Sequence, residues 1–149
     1  MKNIFTFVLL FTALSFYGQD KKVSFLNLVG NNIQVPRGCE ATSEYELQAC
    51  DGTSIRWDYY SADMLKDVFY ATITAFTEGK SDDAATEVTF TSFGSQLKGY
   101  KFKMGTTFQY FLQGTIKDQP LMMNLGTPKD INTSDDLEGF LGLFFDEAS

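Results

Sequence analysis

The chain contains no histidine at all, and only two cysteines, one tryptophan and three prolines in 149 residues. Without histidine, Ser-His-Asp and Cys-His catalysis, His-ligated zinc and a histidine pH switch are excluded. No P-loop, G-x-G-x-x-G or H-E-x-x-H pattern is present either. Cations are scarce: 12 Lys+Arg stand against 19 Asp+Glu, a formal charge of −7. Nucleic acids and anionic membranes are held through cations that release counterions, so neither is an expected partner. Acidity instead keeps a domain soluble. No repeat or low-complexity linker appears, and beyond the first 19 residues no apolar run approaches the ~20 residues of a membrane helix. The chemistry still open uses carboxylates, a Ser-Lys pair or a carboxylate-bound metal.

Residues 1–19, MKNIFTFVLLFTALSFYGQ, read as a secretory signal peptide. Lys2 supplies the positive start, residues 4–16 the apolar stretch, and Ala13, Ser15 and Gly18 the small residues near a cleavage point between residues 15 and 19. A retained N-terminal anchor is the competing reading, for which the apolar run is short. No cysteine lies near the cleavage region, which argues against a lipoprotein. The expectation is an exported protein, periplasmic or secreted, with a single domain over residues 20–149. Loss of Lys2 moves the formal charge from −7 to −8.

Residues 33–60 organise that domain, holding Cys39, Cys50, Trp57, Arg37 and Arg56. In an exported chain an even cysteine count points to a disulfide, here Cys39 with Cys50. A redox pair would need close spacing and a cationic neighbourhood, whereas Glu40 and Asp51 sit beside these cysteines. Ile33 and Val35 alternate with polar residues until Pro36, as in an edge strand. Tyr45, Leu47 and Ala49 form the next alternating run, Asp51-Gly52 a hairpin turn, and Ile55, Trp57 and Tyr59 one inward face.

A helix is expected over 61–77, capped by Ser61 and stopped at Gly79, with Leu65, Val68, Phe69, Thr72, Ile73 and Phe76 as its apolar stripe. Antiparallel hairpins follow over 88–125, with Lys98, Lys101 and Lys103 read as a solvated strand face. Leu137, Phe140, Leu141 and Phe144 predict a second helix, capped by Thr133 or Ser134 and fraying at Asp146. The expected fold class is α+β: an antiparallel β-sheet with two packed helices, one after the third strand and one at the C-terminus.

Candidate site residues come from aromatics and acids. Trp57 lies in a patch with Tyr59 and Tyr60, while Tyr60 and Phe111 fall on the polar faces of their strands and read as exposed rings. Trp57, Tyr60 and Phe111 are therefore the ligand-binding candidates. Asp51 and Asp58 near that patch are the acids a glycoside hydrolase would need, although surface carboxylates are common. Asp130, Asn132 and Ser134 begin like a calcium loop, but Asp135 replaces the glycine and Leu141 the glutamate that such a loop requires. Helix capping explains them without an ion, so no metal, cofactor or catalytic residue is expected.

The order of elements resembles the PsbP-like α+β sandwich. The matching features are Gly99-Tyr100 in the strand after the helix, Phe108-Gln109-Tyr110 in the next, and residues 137–145 at the end. A cystatin-like or NTF2-like fold suits the pattern almost as well. The resemblance implies a non-enzymatic accessory or binding domain and transfers no catalytic residue. The leading expectation is a monomeric or weakly associating exported module that recognises a protein or cell-surface component. The alternatives are a binder of sugar or another small ligand through aromatics, and a small carboxylate-dependent hydrolase.

Overall fold

The computed structural model describes residues 22–79 and 85–146, so the expected leader over 1–19 lies outside them. In chain order the strands are β1 (Phe25–Leu28), β2 (Asn31–Gln34), β3 (Glu40–Ser43), β4 (Glu46–Cys50) and β5 (Thr53–Tyr59). Helix α1 (Ala62–Thr77) precedes β6 (Ala85–Ser92), β7 (Ser95–Met104), β8 (Thr107–Ile116) and β9 (Gln119–Thr127). Two 3-10 turns, Ser134–Asp136 and Gly139–Leu143, follow. Both residues of Val29-Gly30, Asp51-Gly52, Phe93-Gly94 and Lys117-Asp118 have positive φ. That is the hairpin geometry whose twist matches antiparallel strands, so the chain builds local meanders. One is β3-β4-β5 and the other β6 to β9. They join where β9 lies beside β5, giving a seven-stranded sheet ordered β3-β4-β5-β9-β8-β7-β6.

Both faces of this sheet are covered. On one face Trp57, Tyr110, Leu112 and Met123 pack beneath the separate β1-β2 ribbon, which contributes Leu26, Leu28 and Ile33. Ile131, Leu141, Phe144 and Phe145 of the C-terminal segment complete that core. On the other face α1 sets Phe69, Ile73 and Phe76 against Tyr100, Phe102 and Phe111. The Phe76 ring lies edge-on, 4.7 Å from Phe102 and 4.9 Å from Phe111. The helix begins as its sequence demands, with Ser61 Oγ accepting from Met64 N–H at 3.4 Å.

The architecture is a β-sandwich with a single helix, which corrects the α+β expectation of two packed helices. The terminal helix is replaced by the two 3-10 turns. Leu137 is extended between them and Gly139 takes a φ of 62°, in the left-handed region, so no continuous i→i−4 ladder can form. Leu141 and Phe144 still reach the core. The apolar spacing survives while the backbone conformation differs. Asp146 is anchored rather than frayed: its N–H donates to Thr91 O, and its carboxylate accepts from Gly94 N–H at 2.5 Å.

Candidate functional site

Cys39 and Cys50 form the expected disulfide, with S–S 2.02 Å and Cα–Cα 4.6 Å. It fastens the loop after β2 to the end of β4, and beside it runs a groove. One wall throughout is the 3-10 turn Gly139–Leu143. The groove starts as a space of about 630 Å³ between residues 31–37, Phe93 and Leu143. It continues for about 350 Å³ past Arg37, the disulfide, Asp51 and Phe140. A last section of about 340 Å³ reaches Thr53, Pro128, Lys129, Asp136 and Glu138. Arg37 and Leu143 belong to the first two sections, and Asp51 and Phe140 to the last two, so the sections adjoin one another.

The charges along it are unequal. Among the described residues ion pairs join Arg56 to Asp58, Lys101 to Asp130 and Lys129 to Glu138, and Arg37 is in none of them. Arg37 thus offers an uncompensated guanidinium midway along the groove. At the far end Lys129 lies 2.6 Å from Glu138 and holds its carboxyl below the usual range.

The loop that begins like a calcium site is engaged differently. The Lys101 ammonium donates to Asp130 Oδ1 and Asn132 Oδ1, each at 2.5 Å. Asp136 accepts from the N–H groups of Asn132 and Thr133, which lowers its pKa. The oxygens that could have faced a metal face a cation of the chain itself. This also corrects the reading of Lys101 as part of a solvated face, because its side chain is buried. Among the described residues no group of three or more metal-binding acids or thiols is gathered.

The three aromatic candidates do not converge. Trp57 is 1% exposed and lies in the core under β1-β2, where its Nε1–H donates to Tyr59 Oη at 3.2 Å. Tyr59 Oη in turn accepts from Val29 N–H and donates to Asn27 O, stitching the ribbon to the sheet. Phe111 is 5% exposed beneath Phe76 on the opposite face, which corrects its reading as an exposed ring. Alternation along β8 identifies two faces, but here helix α1 buries the second one. Tyr60 is half-buried past the end of β5, and burial followed by the nearby Asp58 carboxylate raises its phenol pKa.

Asp51 lies in the turn before β5 and Asp58 is the next-to-last residue of β5, roughly 17 Å along the chain at the rise of a strand. Glycoside hydrolysis needs about 5–9.5 Å. Asp58 is instead gripped by Arg56 through Nε at 3.2 Å and Nη2 at 3.1 Å.

Sequence reasoning missed the groove itself. Arg37 and the short strand ending at Pro36 were visible, and one of only two arginines in an acidic chain was the available signal. Phe93 carries no such mark, being a turn residue with positive φ. Leu143 lies off the apolar stripe and is half exposed. Compared with known proteins, the chain matches no family model, no curated protein and no solved structure.

Proposed function

We propose that the protein is an exported, non-enzymatic binding module that takes a polypeptide of another protein or cell-surface component into the groove beside Gly139–Leu143. The observation that carries this reading is the groove's form. It is long and open, with apolar walls from Ile33, Val35, Phe93 and Leu143, and of the two cations that line it, Arg37 and Lys129, Arg37 is in none of the ion pairs among the described residues. Residues 31–36 alone extend for roughly 17–20 Å at strand rise, a length that suits a chain better than a small molecule. Export is supported by the signal-like residues 1–19 and by the Cys39–Cys50 disulfide, which persists in oxidising compartments.

The test is crosslinked capture with tagged protein starting at residue 20, from the exported fractions of its own host. One protein should be captured saturably and lost with Leu143→Asp, while the melting temperature stays unchanged because Leu143 is half exposed. Capture that ignores Leu143→Asp rules the groove out.

A second reading, small-ligand binding, has a place of its own. Tyr70 is 74% exposed on α1 beside a cleft of about 400 Å³ that also contains Tyr100 and Lys66. Retention on a glycan array that Tyr70→Ala abolishes would support it. No retention would remove it.

A further inference from the structure

Consecutive residues line the first section of the groove, from Asn31 through Arg37. A space over the face of a strand meets alternate residues, whereas one along its edge meets every residue. The groove therefore follows the outer edge of β2, which pairs with β1 alone. The register fixes what that edge presents. Leu28 and Asn31 flank the two-residue turn, and Val35 N–H donates to Ser24 O at 2.9 Å. Hydrogen-bonded pairs alternate along an antiparallel ladder, so residues 31, 33 and 35 bond to β1 while Asn32 and Gln34 turn N–H and C=O into the groove. Among the described residues nothing bonds to these groups.

The two edges of the seven-stranded sheet are guarded. β3 is broken by register shifts, and β6 has Thr91 bonded to Ser134 Oγ and to Asp146 N–H. Exposed edges are usually protected in such ways, so an open one facing an apolar groove is a recognition feature.

We propose that β2 is a strand-addition site. An extended segment of a partner protein lies in the groove, pairs its backbone with Asn32 and Gln34, and sets an acidic side chain against Arg37. Charge complementarity picks out this occupant. In a chain of net charge −7, the edge is bounded by Arg37 at one end and by Lys117 at the other, whose Nζ is 3.0 Å from Asn31 Oδ1. A second copy suits the site less well. Its own β2 edge is walled by Phe93 and Leu143, and strands must approach within about 4.8 Å to pair.

The inference rests on the groove being a polypeptide site, and the experiment separates the two. Random linear peptides displayed on phage are selected on the protein spanning residues 20–149, and the enriched peptide is synthesised and titrated. The expected consensus alternates β-branched or aromatic residues and carries one Asp or Glu. Gln34→Pro removes an outward N–H without touching the β1 ladder, so binding should weaken about tenfold at unchanged melting temperature. Arg37→Glu should shift preference from the acidic peptide to its Lys-substituted version.

If Gln34→Pro unfolds the protein, N-methylation of the peptide replaces it, and only every second position should tolerate the methyl group. Uniform tolerance, or normal binding to Gln34→Pro with loss on Arg37→Glu, overturns strand addition and leaves the groove reading standing. A library without an enriched peptide overturns both. Sedimentation as a dimer that Gln34→Pro dissociates would make the occupant a second copy and overturn the acidic partner.

Discussion

Gly99 has no side chain because the neighbouring strand occupies its place. A Cβ built there would lie 1.7 Å from the carbonyl oxygen of Phe111 and 2.9 Å from Cα of Leu112. Both are backbone atoms that cannot step aside. Gly99→Ala should cost about 3 kcal/mol or more, read from urea denaturation, and a loss under about 1 kcal/mol would show that β7 and β8 can separate freely. Tyr110 makes a prediction about pH. Its hydroxyl accepts from Ile131 N–H at 2.7 Å, and burial pushes its pKa up to about 12. The unfolded phenol ionises near 10, so the unfolded chain loses its proton first as pH rises. Stability from this group is complete below about pH 10 and is lost between about 10 and 12. Tyr110→Phe should flatten the alkaline fall in melting temperature across that window. At this scale the cysteine pair and Asp51-Gly52 were legible, because their chemistry is local. The role of Lys101 was not, since its partners Asp130 and Asn132 lie 29 and 31 residues away.

Helix α1 was readable because stripe, cap and stop agree: Leu65 and Phe69 are buried, Ser61 caps, and Gly79 has a φ of 74°. The terminal segment shows where periodicity misleads. Leu137, Phe140, Leu141 and Phe144 have helical spacing, yet Gly139 sits among them at positive φ, with nothing within 4 Å of the place a Cβ would take. Gly139→Ala should therefore destabilise by about 1 kcal/mol through backbone strain alone, while Gly142→Ala, without that φ, should be nearly neutral. Equal thermal shifts for the two would mean that strain does not hold the turn. The position of Phe111 was misread for a related reason. Alternation tells which residues share a face, and only the packing of α1 tells that the second face is dry. The groove was the least legible feature, because β2, the disulfide loop and the last 3-10 turn meet only in three dimensions.

For the whole molecule, the disulfide closes a span of 11 residues and should contribute about 2–3 kcal/mol. Mass spectrometry of exported protein should find the Cys39–Cys50 link and a mature chain starting after one of residues 15–19. Cys39→Ser with Cys50→Ser should lower stability by that amount, and no change would show that the loop is held without it. The seam between β5 and β9 has a different consequence. It pairs Trp57 with Met123 and Tyr59 with Leu121, partners more than sixty residues apart, while the hairpins on either side close within a few residues. As the chain is synthesised or threaded across a membrane, β3-β4-β5 emerges with the inner edge of β5 bare. That edge stays open until β9 follows, near the end of the chain. The order of emergence therefore leaves β5 an unpaired edge, the kind of surface through which partly folded chains associate, for as long as β9 has yet to follow.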